Sequence, residues 1–278
     1  MIITDRFVML NFPKTGSSFA RKALRKIHRY ETLPNRILRK LNVPQSSMIE
    51  LSLPSVDRRF PEGLEDQHGT YRQIPEGHRH KTVVSIIRNP FDRYVSTYLF
   101  GWWKTNLHTT EKRLREAFPT FPDLSFREYY EMTNLFGREN RLRGLSPRID
   151  LGYYTIQFVQ FFFQDPERAL RRIDGDYIER KRYLDDMAEV VFLHQENLNS
   201  ELYDFLLAIG YPEADIAFIH NAERVNVTPR AENQCRWEDL LSADLQEDIL
   251  NKDRLVFDIF PQYGIDFGAA KGDLSPAR

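Results

Sequence analysis

Near its start the chain passes from an apolar run through a polar, glycine-containing turn into a segment with helical character. Residues 7–12 read FVMLNF, residues 13–18 read PKTGSS, and the helical pattern covers residues 19–27. A strand, a tight turn and a helix in this order point several backbone N–H groups and a helix N-terminus at one anion. Lys14 adds a mobile positive charge. The stretch therefore predicts a phosphate cradle, and a plain strand-to-helix connection is the alternative.

The residue order in this turn is not that of the common nucleotide-binding loop. That loop reads GxxxxGK[ST] and carries its lysine after the second glycine. Here Lys14 comes two residues before Gly16, the single glycine of the turn. The turn thus predicts anion binding by a loop of a different type.

Composition narrows the class of protein. The 278 residues include 39 basic and 40 acidic ones, for a net charge of −1, which argues against a surface matched to nucleic acid. The single cysteine, Cys235, excludes an intramolecular disulfide and a cysteine-based metal site. No apolar run approaches the roughly 20 residues that span a bilayer, and no basic-plus-apolar leader precedes the first strand. We expect a soluble, cytoplasmic protein with one domain over residues 1–278 and a flexible tail at 268–278.

A second strand-to-helix junction follows later in the chain. Residues 81–87, KTVVSII, predict a buried strand because they are β-branched and nearly all apolar. Asn89 is a good N-cap and Pro90 suits the first helical position, so a helix should begin there and run beyond Ser96. Arg88 then lies at the C-terminal end of a parallel strand, which is where open α/β sheets bind ligands.

The remaining sequence predicts further helices and one more strand. These are a buried aromatic helix over Tyr153–Gln164, an amphipathic helix over Asp176–Ala188, a strand over Glu189–Leu193, a helix that ends near Gly210, and one or two helices over Trp237–Phe260.

Together the two junctions resemble the sulfotransferase family. PKTGSSF at residues 13–19 is similar to the family's 5′-phosphosulfate loop, PK[TS]G[TS][TS]. RNPFDRYVS at residues 88–96 is similar to the family's R-[ND]-P-x-[DE]-R-x-x-S segment, whose Arg and Ser hold a 3′-phosphate. A looser similarity at residues 190–210 favours the carbohydrate-type branch.

The resemblance implies an α/β fold, a P-loop-like three-layer sandwich whose central parallel sheet is flanked by helices. It also implies 3′-phosphoadenosine 5′-phosphosulfate (PAPS) as co-substrate, in-line sulfuryl transfer to a hydroxyl or amine, and no metal. Lys14 would contact the phosphosulfate and stabilise the leaving phosphate. The other implied PAPS-binding residues are Thr15, Gly16, Ser17, Ser18 and Phe19 in the loop, Arg88 and Ser96 at the 3′-phosphate, and Thr228 and Arg230 in a late loop.

A base must take the acceptor's proton, and histidine or a carboxylate serves best near neutral pH. His68 precedes Arg88 by twenty residues, an offset at which sulfotransferases with a histidine base often place it, so the resemblance favours His68 as the base. His194 is a physical rival because it ends a predicted strand, and Glu31 is another, because some branches use a glutamate after the first helix. The lysine that some members carry just before this histidine is replaced by Gln67.

Two other functions remain open at this level: a P-loop kinase that uses ATP, and a nucleotide-binding module without transfer activity. The acceptor also stays open between a saccharide and a small metabolite. The basic residues within 21–40 either help to bind an anionic acceptor or form a solvated helix face.

Overall fold

A five-stranded mixed β-sheet lies at the centre of the protein. The computed structural model describes residues 1–29, 48–57, 64–223 and 236–264. The strands are β1 (Ile2–Thr4), β2 (Phe7–Leu10), β3 (Met48–Glu50), β4 (Leu53–Pro54), β5 (Glu65–Asp66), β6 (Thr82–Ile87) and β7 (Val191–His194). The sheet has the strand order β3-β1-β2-β6-β7, and β4 pairs with β5 separately.

Three strands of this sheet are parallel, as the sequence predicts. Phe7 of β2 lies opposite Thr82 of β6, and Ile87 of β6 lies opposite His194 of β7. In contrast, β1 is antiparallel to both β2 and β3. Only two residues join β1 to β2, and a connection that short permits a hairpin but no parallel crossover. The predicted parallel sheet is thus confirmed at its centre, and the antiparallel strands β1 and β3 extend it at one edge.

Helices cover both faces of the sheet. The α-helices are α1 (Ser17–Ile27), α2 (Pro90–Phe100), α3 (Glu111–Ala117), α4 (Phe126–Met132), α5 (Arg138–Leu142), α6 (Tyr153–Phe162), α7 (Pro166–Arg172), α8 (Gly175–Glu179), α9 (Tyr183–Asp186), α10 (Leu198–Ala208), α11 (Glu213–Ile216), α12 (Trp237–Leu240), α13 (Ala243–Lys252) and α14 (Arg254–Ile259). A π-helical segment covers Thr133–Gly137, and short 3₁₀ turns cover Tyr71–Gln73, Glu76–His78, Trp102–Lys104, Gln195–Asn197, Ala217–Ile219 and Pro261–Tyr263.

The two sheet faces carry separate hydrophobic cores. Phe7 and Met9 point to one face and pack with residues of α1 and α10. Val8 and Leu10 point to the other face and pack with residues of α2 and α6. This alternation is the period-2 pattern of a strand buried on both sides. The fold is thus an α/β sandwich with helices on both sides of the sheet.

One predicted helix is interrupted. The sequence predicts a continuous amphipathic helix over Asp176–Ala188, whereas the structure has α8, a break, and then α9. Lys181 lies in this break with a φ of 52°, a left-handed conformation that ends a right-handed helix. The prediction of one continuous helix is therefore wrong.

No α-helix in the described ranges is long and apolar enough to cross a membrane. Within the same ranges, no group of three or more His, Cys, Asp or Glu residues is placed to hold a metal ion.

Candidate functional site

The C-terminal ends of the three parallel strands meet at one edge of the sheet. The registers pair Leu10 of β2 with Ser85 of β6, and Ile87 of β6 with His194 of β7. The turn after β2 therefore lies beside Arg88, which follows β6. The structure brings the two sequence-predicted junctions together at the edge where α/β sheets bind ligands.

The turn that follows β2 is shaped by its glycine and by a buried hydroxyl. Gly16 has a φ of 96°, which only glycine adopts without strain. Thr15 is fully buried, and its Oγ1 donates to the carbonyl of Phe12 at 2.9 Å. The N–H of Phe19 donates to the carbonyl of Gly16 at 2.9 Å. The side chain of Thr15 and the N–H of Phe19 thus build the turn itself.

The N-terminus of α1 has the features of an anion site. Ser17 is the first helical residue, Gly16 provides no side-chain cap, and the first turn contains no acidic residue. The first N–H groups of a helix lack intrahelical acceptors and carry the positive end of its dipole. Ser17 and Ser18 therefore offer N–H and hydroxyl donors on the side where Lys14 lies.

We expect Gly16→Ala to destabilise the protein by about 1–3 kcal/mol, because a left-handed backbone is strained for a residue with a Cβ. That Cβ would also lie 3.1 Å from Cδ2 of Leu198 and 3.3 Å from Cγ of Gln195. Urea unfolding measures the loss. Gly144→Ala is the matched control, since Gly144 has a φ of 81° with open space around it. Equal losses in the two variants would contradict a tight fit of the turn against β7 and α10.

Lys14 is held at this edge among other cations. Its Nζ lies 3.6 Å from the centroid of the Phe100 ring. Burial, together with the positive charges of Arg88 and Arg93, lowers the pKa of Lys14 to about 8. Lys14 has no carboxylate partner among the described residues, and cations that converge in this way favour a bound anion.

Arg88 sits half-buried at the end of β6. Its Nε is buried and has no hydrogen-bond partner among the described residues. Burial lowers the pKa of its guanidinium, and the negative charges of Asp92 and Glu196 oppose that shift. Two bonds fix the backbone here: Tyr154 Oη donates to the carbonyl of Arg88 at 3.1 Å, and the N–H of Asn89 donates to Glu196 at 3.0 Å. An orphaned guanidinium N–H on a fixed backbone fits a ligand that accepts from it, such as a phosphate.

The helix after Arg88 begins as predicted. The side chain of Asn89 accepts from the N–H of Phe91 at 2.9 Å, and Pro90 is the first helical residue. Ser96 lies in α2, on the helix that Arg88 precedes, and among the described residues its hydroxyl has no protein partner. The structure therefore leaves Ser96 available to a ligand.

Arg93 is a site residue whose role the sequence interpretation missed. It is buried, its Nε donates to the carbonyl of Pro13 at 3.1 Å, and its Nη2 donates to Gln157. Its guanidinium also lies 4.2 Å from the centroid of the Tyr154 ring. Arg93 thus joins α2 to the turn that carries Lys14. The signal in the sequence was a second arginine inside RNPFDRYVS, placed on the buried side of an amphipathic helix.

His68 lies against the end of β2. Its Nδ1 is 2.7 Å from the carbonyl of Asn11, and its N–H donates to Oδ1 of Asp66 at 2.6 Å. Since a carbonyl can only accept, Nδ1 carries the proton and Nε2 keeps a free lone pair. Burial lowers the pKa of His68 below its ordinary value. The residue that His68 contacts, Asn11, precedes Lys14 by three residues. A neutral imidazole with a fixed tautomer at this position is suited to accept a proton.

The rival bases are placed differently. His194 has both ring nitrogens engaged: Nδ1 lies 3.1 Å from Glu201, and Nε2 lies 2.8 Å from the side-chain nitrogen of Gln262. An imidazole with two partners has no free lone pair for a substrate. Glu31, like Thr228 and Arg230, lies outside the described residues.

Comparisons with known proteins agree with this geometry. The family model described as "Sulfotransferase family" matches residues 2–140, half of the chain. The chain belongs to the sulfotransferase family. The matched region contains both junctions and His68, so the resemblance inferred from the two motifs is confirmed.

Similarity to individual proteins is low. Among solved structures, the crystal structure of mouse sulfotransferase SULT7A1 complexed with PAP matches with 14% sequence identity and a TM-score of 0.39. The match covers 98% of this chain and 89% of that chain. No curated protein sequence matches the chain.

Proposed function

We propose that this sulfotransferase moves a sulfuryl group from PAPS to a hydroxyl or amine of an acceptor. The observation that carries the proposal is the meeting of Lys14, Arg88 and the N-terminus of α1 at one sheet edge. Two separated phosphates need two anion sites, and the turn after β2 and the start of α2 would supply them. The orphaned Nε of Arg88 and the glycine turn at Gly16 both fit a bound nucleotide.

In this proposal, PAPS supplies the activated sulfuryl group, and the protein positions the groups that react. The loop residues Ser17 and Ser18 donate to the 5′-phosphosulfate, and Lys14 lies at the bridging oxygen. Arg88 and Ser96 bind the 3′-phosphate. Of the remaining predicted binding residues, Thr15 and Phe19 act by holding the turn, because their donors are used within it.

The proton follows a defined route. Nε2 of His68 takes it from the acceptor hydroxyl as the new S–O bond forms, and the S–O bond to the 5′-phosphate breaks at the same time. Negative charge then develops on the leaving phosphate oxygen, where Lys14 stabilises it. The hydrogen bond from Nδ1 of His68 to the Asn11 carbonyl holds the ring and stabilises the imidazolium that results.

Calorimetry with the desulfonated product, 3′-phosphoadenosine 5′-phosphate (PAP), tests the function. We expect PAP to bind more tightly than ATP with magnesium, because the loop lacks the GK[ST] order and two anion sites match the 5′- and 3′-phosphates. Tighter binding of ATP with magnesium would contradict sulfuryl transfer and favour a kinase.

The 3′-phosphate site has its own test. We expect Arg88→Gln to weaken PAP binding by about 10- to 100-fold, the cost of a lost charge-assisted hydrogen bond. Binding of 5′-AMP, which has no 3′-phosphate, should change little, and calorimetry measures both. Arg72→Gln is a control, since Arg72 is exposed in the 3₁₀ turn over Tyr71–Gln73. An equal loss for PAP and 5′-AMP would mean that Arg88 does not read the 3′-phosphate.

A further inference from the structure

A small polar cavity lies beside His68, on the side of the sheet edge away from Arg88. Its volume is about 190 Å³. Two of its wall residues hold His68 in place: the carbonyl of Asn11 bonds the imidazole, and Gln67 precedes His68 in the chain. The cavity is lined by Met1, Ile2, Asn11, Arg21, Glu50, Leu51, Ser52 and Gln67.

The charges of this cavity do not cancel. Nε and Nη2 of Arg25 hold both carboxylate oxygens of Glu50, at 2.6 and 2.7 Å. Arg21 has no ion-pair or hydrogen-bond partner among the described residues, although it lies in the wall of the cavity. With Glu50 neutralised by Arg25, and with the pKa of the Met1 amine lowered to about 6 mainly by burial, the guanidinium of Arg21 is the unpaired positive charge near neutral pH among the described wall residues.

A second group in the wall also lacks a partner. Asn11 is only 2% exposed, and its Nδ2 donates to the carbonyl of Gln67 at 3.1 Å. Its Oδ1 is buried and accepts no hydrogen bond from the described residues. A buried acceptor without a donor destabilises the folded protein, and a donated hydrogen bond from a bound hydroxyl would remove that cost. Among the described residues, the cavity wall therefore offers a ligand one unpaired cation and one acceptor without a donor.

We propose that this cavity is the acceptor subsite of the enzyme, and that Arg21 binds the carboxylate of a hydroxyl-bearing acid whose hydroxyl is sulfated. The inference rests on the proposed function. A carboxylate fits because its two oxygens match the guanidinium fork and its single negative charge matches the single unpaired cation. The volume is below the roughly 300 Å³ of pockets that enclose drug-sized ligands, so it holds a small acid or one acidic group of a larger acceptor.

The position of Arg21 also suits the chemistry at His68. Its charge is close enough to lower the pKa of the imidazole further, which keeps His68 neutral until it accepts the acceptor's proton. Once the carboxylate is bound to Arg21, the two charges offset each other, and the imidazolium that forms during transfer is no longer opposed. Binding of an anionic acceptor thus favours the step in which His68 accepts the proton.

Paired ligands test this subsite. The protein saturated with PAP is titrated with D-glucuronate and D-glucose, and with 4-hydroxyphenylacetate and its neutral amide. We expect the acid of at least one pair to bind about tenfold more tightly than its neutral partner, a preference worth about 1.4 kcal/mol. Arg21→Gln should remove the preference, and Arg21→Lys should retain part of it, because lysine keeps the charge without the fork.

Lys22→Gln is the matched control, since Lys22 is the exposed neighbour of Arg21 on α1 and should leave the preference intact. Equal affinities within both pairs, or a preference that survives in Arg21→Gln, would overturn the subsite. Failure of the wild-type protein to bind PAP would overturn the proposed function instead, and the subsite with it. PAP binding without any carboxylate preference would overturn the subsite alone.

Discussion

Replacement of Lys14 by methionine should lower the rate of sulfuryl transfer by about 10²- to 10³-fold, the range seen when one preorganised donor to a developing negative charge is removed. Methionine keeps the length and apolar stem of lysine and removes only the charge. PAP affinity should fall less than the rate, because Lys14 acts most strongly when charge develops on the leaving phosphate. Single-turnover kinetics with saturating PAPS measure the rate directly.

The chain offers a matched control for this substitution. Nζ of Lys26 lies 3.7 Å from the centroid of the Phe218 ring, nearly the same arrangement as Lys14 on Phe100 at 3.6 Å. Lys26 is exposed on the helix that Lys14 precedes. Lys26→Met should therefore lose a similar cation–π contact and keep its transfer rate. If Lys14→Met retained the wild-type rate as well, Lys14 would be a packing residue.

His68→Gln should lower the transfer rate by about 10²- to 10⁴-fold, the usual contribution of a general base. The glutamine amide can still donate toward the carbonyl of Asn11, so the loop should keep its fold, but it cannot accept a proton. PAP affinity should stay near that of the wild type. His80→Gln is the control, because His80 is exposed at the opposite end of β6. Loss of PAP binding in His68→Gln would mean that His68 is structural.

The pH dependence follows from the same two groups. The base must be neutral, so activity is lost as pH falls through the pKa of His68, which burial places below 6.5. Lys14 must be charged, so kcat/KM for PAPS is lost as pH rises through a pKa of about 8. We expect a bell-shaped profile for kcat/KM, and His68→Gln should lose its acid limb. If the acid limb persists in this variant, a group other than His68 causes the loss of activity at low pH.

Local patterns were enough to predict the elements that position the site. The buried strand before Arg88 and the Asn-Pro start of the following helix appear where sequence rules place them, because capping and β-branched runs act within a few residues. The turn at Gly16 was also predicted from residues that lie close together in the sequence. The antiparallel strand β1 was missed because its short apolar run carries no sign of its partner, and strand pairing depends on contacts distant in sequence.

Contacts between distant segments also explain what was missed in the candidate site. Arg93 reaches the Pro13 carbonyl across 80 residues, and no local pattern shows that an arginine on a helix will support a loop. The cavity at Arg21 is assembled from α1, β3 and the turn before His68. Its unpaired charge at Arg21 depends on Arg25 neutralising Glu50, a pair separated by 25 residues.

The most direct test of sulfuryl transfer uses PAPS labelled with ³⁵S, incubated with the purified protein and a small-molecule and saccharide extract of its own cells. We predict that label moves to an extract component, that one PAP forms for each label transferred, and that neither happens with Lys14→Met. Identification of the labelled product then shows whether it carries a carboxylate beside the new sulfate ester. PAP binding without transfer of label to any component would contradict the account and leave a nucleotide-binding protein without transferase activity.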